Sequence, residues 1–398
     1  MGKPYPLSPV KLNMVTNIKS RRLIPSIGLV VLMLLSLSVY SQLELPPPAG
    51  PYTVGRTIFR WVDTSRPEVL TDDPNDSREI MAFVWYPAEP GTGVDEEYFP
   101  GISELSETLV GSGEVTWWQA LGLRFVRSEN RLDARPVQGR APFPVVLLSP
   151  GNGTNIEFYA SLAGEIASHG YVVVGLNHPY DVPAVDLSDG RIAAYNRQQW
   201  DMTPGDHQAY SAERIKVRTA DMLFVMDQLA ALNSAADSSF AGVLDLESVA
   251  AAGHSLGGIT ASEACKADPR FKACLNLDGL QRGGPFSMEA SAIPPAQPFL
   301  FLTKEDELHP RLIESFDDTA RSYWIVIHGA AHDHFADGLV LQPSLLPVPS
   351  QADKFMELIQ EYTLAFLDQT LKAQARAGGL LYESVEREDV SVRIFPSG

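Results

Sequence analysis

Val249-Ala-Ala-Ala-Gly-His-Ser-Leu-Gly-Gly-Ile-Thr-Ala-Ser-Glu-Ala264 reads as a strand, a sharp turn and a helix. Small apolar residues lead in, and Gly253 and Gly257 flank Ser255 in a Gly-x-Ser-x-Gly pattern. Glycine at both flanks lets the backbone turn tightly and lifts the serine hydroxyl to the tip. The following helix aims its free amides at the same point, where negative charge develops during attack on a carbonyl. Glycine and serine also populate ordinary turns. The strand before and the helix after are what single out Ser255 as a nucleophile.

A serine hydroxyl needs a base to take its proton and an acid to orient that base. On an elbow of this kind both partners follow the serine, the acid first and the histidine last. Downstream histidines are His309, His328, His332 and His334. His332 and His334 lie in Gly329-Ala-Ala-His-Asp-His-Phe-Ala-Asp337, just past a strand at 323–327, and His332 is the preferred base. His328, at the strand's end, reads as structural. His254 reads as pointing away across the turn into packing. The His332-x-His334 pair lacks a third matched ligand, so it makes a weak zinc motif. Two acids stand level: Asp278, isolated between Leu275-Asn-Leu277 and Gly279, and Asp306 in the charged run Lys304-Glu-Asp-Glu307. For an oxyanion hole, one amide is expected from Leu256 and the other from Ser149-Pro-Gly-Asn-Gly-Thr154, with Asn152 favoured.

Around the elbow the chain alternates strands and helices. Strands are expected at 52–60, 79–86, 144–149, 171–176, 249–252, 273–277, 298–302 and 323–327. Helices are expected at 157–168, 209–233 and 351–373. This pattern implies an α/β fold, a mostly parallel sheet covered by helices on both faces. Residues 52–380 form the catalytic domain, with an insertion at about 88–140 carrying helical patches at 102–109 and 115–121. Residues 181–208 read as a long polar loop, 42–51 as a linker and 381–398 as a C-terminal tail.

Residues 1–41 hold Lys3, Lys11, Lys19, Arg21 and Arg22 and no acidic residue. An apolar run over 27–39 and small residues near Ser41 follow. This is the pattern of a secretory signal, and the run is short for a span of about 20 residues. Export is expected, with an uncleaved membrane anchor as the alternative. Of the 398 residues 45% are hydrophobic, enough for a sizeable core. The net charge is −18 and no basic run occurs after residue 22, which argues against nucleic acid as a partner. Only Cys265 and Cys274 are present. They are too few for a disulfide scaffold or a cysteine zinc site, and either a pair or two buried thiols fits.

Several segments together resemble the platelet-activating-factor acetylhydrolase family of the lipoprotein-associated phospholipase A2 type, within the α/β-hydrolase superfamily. They are Gly253-His-Ser-Leu-Gly-Gly258, Asn276-Leu-Asp-Gly279 and the Gly329–Asp337 stretch. Gly50-Pro-Tyr-Thr-Val-Gly55, Arg78-Glu-Ile with Trp85-Tyr-Pro-Ala88, and Ala167-Ser-His-Gly-Tyr-Val-Val173 add to it. The resemblance implies an α/β-hydrolase fold over roughly residues 50–340 and selects Asp278 over Asp306 as the acid and His332 over His334 as the base. Pro150 stands where the family's oxyanion loop carries a histidine. The resulting expectation is a serine esterase for short-acyl esters, including oxidised or platelet-activating-factor-like phospholipids, with no metal or organic cofactor. Trp117 and Trp118 are candidates to line a pocket or touch a lipid surface. A polyester- or dienelactone-type hydrolase shares this machinery. A catalytically silent scaffold would be expected to lose part of the set Ser255, Asp278, His332.

Overall fold

The computed structural model describes residues 45–279, 295–304, 321–338, 351–373 and 380–395. Residues 1–41, read above as an export signal, lie outside them, as do Asp306 and His309. Among the described residues no helix is long and apolar enough to cross a membrane.

The chain opens with an antiparallel pair, Thr53–Pro67 (β1) and Ser77–Ala88 (β2). The insertion follows with Val94–Glu97 (β3), Ile102–Ser112 (α1), Trp117–Leu123 (α2) and Arg127–Leu132 (β4). Phe143–Ser149 (β5), Ala160–Ser168 (α3) and Val172–Asn177 (β6) begin the strand–helix alternation. A small hairpin of Ala184–Asp186 (β7) and Ile192–Ala194 (β8) precedes the long helix Pro204–Ser234 (α4). Leu244–His254 (β9), Leu256–Ala267 (α5), Phe271–Leu277 (β10), Phe299–Thr303 (β11) and Ser322–Ile327 (β12) carry the chain across the sheet. Gln351–Leu371 (α6), Val385–Glu386 (β13) and Val390–Phe395 (β14) complete it.

These strands form one sheet in the order β13-β14-β12-β11-β10-β9-β5-β6-β2-β1-β4-β3. Its centre, β6 to β12, is parallel, with β2 antiparallel to β6 on one side and β14 antiparallel to β12 on the other. The central strands are mostly apolar because both faces are covered. Val146, Leu148, Ala250, Ala252, Leu300 and Leu302 face a core shared with α3 and α6, through Leu162, Ile166, Ile359 and Phe366. Val145, Leu147, Val249, Ala251, Phe299 and Phe301 face the opposite core, closed by Met222, Val225 and Leu229 of α4 and Ile259 and Ala264 of α5. Burying each such large side chain contributes roughly 1.5–3 kcal/mol.

Four sequence expectations are revised. The segment read as a tail supplies β14, which pairs with β12 from Ser322↔Phe395 to Ile327↔Val390. The insertion supplies two sheet strands, β4 lying parallel to β1. The polar loop contains the β7–β8 hairpin and the first turn of α4, where Thr203 Oγ1 accepts from Asp206 N and Pro204 opens the helix. The described part of the linker lies against the body: Leu45 is buried, and Gly50 N donates to Ser168 Oγ at 3.0 Å. The sheet strands and the linker contacts depend on distant residues that local sequence does not record, whereas the hairpin and the Thr203 cap are local.

Candidate active site

The parallel strands end together on one edge, and the chemistry-bearing residues stand there. Ser255 follows β9 directly and precedes α5, with φ 55° and ψ −121°. An L-residue holds such a conformation only when its surroundings impose it. They do so through close backbone approaches: a Cβ on Gly253 would collide with Gly257 O, and one on Gly257 with Ser149 O. Ser255 N donates to Leu277 O at 2.8 Å, tying the elbow to the strand that carries the acid.

Asp278 follows β10 and is buried, with its N–H bonded to Leu302 O at 2.8 Å. Its Oδ1 accepts from Lys304 N at 3.1 Å and its Oδ2 from His332 Nδ1 at 2.5 Å. His332 opens a 3-10 turn, His332–Phe335, after β12. With Nδ1 committed to Asp278, the imidazole presents Nε2. The His332 side chain is 36% exposed and that of Asp278 0%, so the imidazole is open to solvent while the carboxylate is sealed. His334 turns back on its own loop: its Nδ1 accepts from Ala331 N at 2.6 Å and its ring packs on Phe355. Burial lowers its pKa. His328 bonds to Ser391 Oγ of β14 at 2.6 Å, a structural contact.

The expectation that His254 points away from the site is corrected. Its ring centroid lies 4.5 Å from that of His332, and on another side it stacks on Phe335 at 5.5 Å. Burial, reinforced by the neighbouring His332, holds its pKa well below the usual histidine range, so it is neutral. Gly151 N donates to Tyr159 Oη at 3.0 Å, and the same hydroxyl shares a hydrogen bond with His254 Nδ1 at 2.8 Å. The residue beside the nucleophile therefore links the oxyanion-loop region to the base. Sequence showed His254 and Tyr159 as residues but held no signal for their contact, which spans 95 positions.

The loop 149–153 lies over the elbow, since a Cβ on Gly151 would stand 3.6 Å from Ser255 Cβ. Its amides are committed at Gly151, to Tyr159, and at Gly153, to Asp181 O at 2.9 Å. Among the described residues Asn152 N has no acceptor, while its side chain is held by Tyr195 and Gln199. Leu256 N is the first amide of α5, and such amides lack intrahelical partners. His254, Asp278 and His332 bring ligand-type atoms within 4.8 Å of one another. However, Asp278 Oδ2 and His332 Nδ1 stand 2.5 Å apart, closer than the roughly 3.4 Å that two ligands of a tetrahedral ion at about 2.1 Å require.

A second serine–histidine–aspartate set lies nearby. Ser149 Oγ is 3.0 Å from His178 Nε2, and His178 Nδ1 is 2.8 Å from Asp221 Oδ2. All three are buried. Asp221 also takes bonds from Arg78 at 2.8 and 3.2 Å and an ion pair from Arg66 at 2.9 Å. Burial pushes the His178 pKa down to about 4 against the pull of Asp221.

Sheet order, elbow and the Asp278–His332 pair define the protein as an α/β-hydrolase. A family model for platelet-activating factor acetylhydrolase, isoform II, matches residues 37–386, and the chain belongs to that family. A probable 1-alkyl-2-acetylglycerophosphocholine esterase of Arthroderma benhamiae is 26% identical over 280 residues, 66% of this chain and 66% of that protein. The platelet-activating factor acetylhydrolase of Cavia porcellus is 24% identical over 367 residues, covering 85% of this chain and 80% of the relative. A ferulic acid esterase from Streptomyces cinnamoneus superposes with a TM-score of 0.67 at 26% identity, over 89% of this chain and 99% of the other. The relatives are named as an esterase and an acetylhydrolase and the structural neighbour as an esterase, and this chain is an esterase.

Proposed function

We propose that this is an exported serine esterase cleaving short-acyl esters, with platelet-activating-factor-like or oxidised phospholipids as its substrate class. The observation that carries the mechanism is the 2.5 Å Asp278–His332 bond beside the constrained Ser255 elbow. Ser255 Oγ attacks the ester carbonyl as His332 Nε2 takes its proton, and Asp278 stabilises the imidazolium. The amides of Leu256 and Asn152 receive the oxyanion. The tetrahedral adduct expels the alcohol, which takes the proton from His332. Water, deprotonated by His332, then cleaves the acyl-enzyme and regenerates Ser255. No step calls for a metal or organic cofactor.

Export is supported by the basic-then-apolar pattern of residues 1–41 and by the Cys265–Cys274 disulfide, a bond suited to an oxidising compartment. Contact with a lipid surface is supported by Trp117 and Trp118 of α2, 55% and 57% exposed and packed edge to face at 4.6 Å. They belong to the same insertion as Glu114, whose carboxyl lies against Gly153 of the oxyanion loop. A second reading, an aromatic ester of the feruloyl kind, is favoured by the structural neighbour's coverage and named activity.

The test pairs a fluorophosphonate probe with an ester panel. Wild type is expected to take the label and Ser255→Ala to refuse it; equal labelling defeats the serine mechanism. Acetyl to palmitoyl p-nitrophenyl esters, a short-acyl phosphatidylcholine and methyl ferulate then separate the substrates. Preference for ferulate over the acetyl and phospholipid esters replaces the first reading with the second.

A further inference from the structure

We infer that Arg218 of α4 is a positioning residue for the oxyanion hole, acting through the backbone of the loop 149–153. This rests on the reading of Asn152 N as an oxyanion donor. Pro150 brings no N–H and no polar side chain to that loop, so its carbonyl is the only polar atom by which it can be held. Arg218 Nη1 donates to that carbonyl at 2.9 Å. The same guanidinium donates through Nε to Asp181 Oδ2 at 3.0 Å and through Nη2 to Asp181 O at 3.4 Å. Asp181 O in turn accepts from Gly153 N at 2.9 Å. Both ends of the tripeptide Gly151-Asn152-Gly153 are thereby fixed by one buried pair, and the planes between them set where Asn152 N–H points.

The pair is better explained as an orienting device than as a source of stability. Arg218 and Asp181 are fully buried. A buried ion pair typically gains little over well-packed apolar residues, because desolvation offsets the attraction. An oxyanion donor, by contrast, acts only if it is aimed at the developing charge before reaction. Arg214, one helical turn earlier, supplies an internal control. It makes two bonds to the same carboxylate, Nε to Oδ1 at 2.7 Å and Nη2 to Oδ2 at 3.0 Å, yet among the described residues it makes no hydrogen bond to the loop.

The experiment compares Arg218→Gln with Arg214→Gln by active-site titration and steady-state ester hydrolysis. Titration counts competent serines, so damage to folding lowers the count, whereas a misaimed donor lowers turnover per titrated site. Arg218→Gln is expected to lower kcat per site about 30-fold or more with KM within about threefold, because an oxyanion contact acts on the transition state. Arg214→Gln is expected to stay within about threefold of wild-type kcat per site. Binding of a trifluoromethyl ketone, which forms an oxyanion on Ser255, is expected to weaken in step with kcat in Arg218→Gln alone. If Arg218→Gln yields no titratable protein, Arg218→Lys takes its place. It keeps the charge but loses the fork that reaches Asp181 and Pro150 together, and is expected to lower kcat per site about tenfold. Equal loss in the two glutamine variants, or wild-type kcat per site in Arg218→Gln or its lysine replacement, overturns the inference. A wild-type enzyme with no titratable serine instead overturns the esterase mechanism on which it rests.

Discussion

The molecule contains two serine–histidine–aspartate sets, and the contrast between them separates residue identity from reactivity. Ser149–His178–Asp221 has both hydrogen bonds, at 3.0 and 2.8 Å. Yet Ser149 ends a regular strand, His178 is sealed and Asp221 is shared with two arginines. Burial alone would raise the Asp221 pKa, but Arg78 and the His178 bond hold it well below the carboxylate range. That set braces the base of the oxyanion loop. Ser255–Asp278–His332 has its serine on a constrained turn and a histidine side chain 36% exposed. What distinguishes the set proposed to react is access and backbone geometry.

The largest test of this contrast is at the serines. Ser255→Ala is expected to lower kcat by about 10⁴-fold or more, and Ser149→Ala by less than about tenfold, measured on a p-nitrophenyl ester. The reverse order would make the buried set the catalytic one. Next come the acids: Asp278→Asn is expected to cost about 10³–10⁴-fold in kcat through loss of the histidine's orientation, with Asp306→Asn within about threefold. Asp221→Asn sharpens the contrast from the other side. It leaves Arg78 with Glu68 as its one remaining ion-paired carboxylate among the described residues, so unfolding in urea is expected to show a loss of about 3–5 kcal/mol while turnover per titrated serine stays within about tenfold.

Asp337 offers the most gradual test, as a buried acid that pairs with no arginine or lysine among the described residues. Burial raises its pKa to about 7, although Ser161 N at 3.2 Å and the Tyr98 hydroxyl at 3.1 Å favour the carboxylate. The folded value lies above the ordinary 3.8, so below about pH 4 both states hold the proton and nothing is lost. As pH rises from 4 to 7 the unfolded chain ionises first, and native stability falls by up to about 1.4 kcal/mol per unit, levelling above 7. Asp337→Asn lacks this slope, so its stability relative to wild type is expected to rise across that window in urea titrations. A constant difference from pH 4 to 8 would show that Asp337 ionises normally.

The Ser255 elbow was legible in sequence because it is built from local rules, whereas Asp278 stood level with Asp306 until the family resemblance selected it. Gly253 and Gly257 announce the turn, and strand–helix alternation announces the sheet whose edge collects the residues after each strand. His332 and His334 differ by only two positions, yet one reaches Asp278 and the other its own loop. Residue chemistry did not separate them as sharply as that turn does. The buried set was invisible for the opposite reason. Ser149, His178 and Asp221 sit on β5, after β6 and on α4, and no spacing rule joins them until the sheet is assembled. The disulfide stayed open because Cys265 and Cys274 are nine residues apart on two elements whose docking decides whether they meet. β14 was missed because its partner, β12, lies across α6 in the chain.

That last strand has a consequence for when the enzyme becomes active during its own synthesis. β12 leads into the His332 turn, and β14 closes its outer edge, with His328 N bonded to Asp389 O at 2.9 Å and its ring to Ser391. On the ribosome Ser255, Asp278 and His332 emerge in that order, but residues 390–395 emerge later still. On the mechanism proposed above, a nascent chain carries its nucleophile well before the strand that pairs with β12 has emerged, so hydrolytic competence is expected only after nearly all of the catalytic body has been translated.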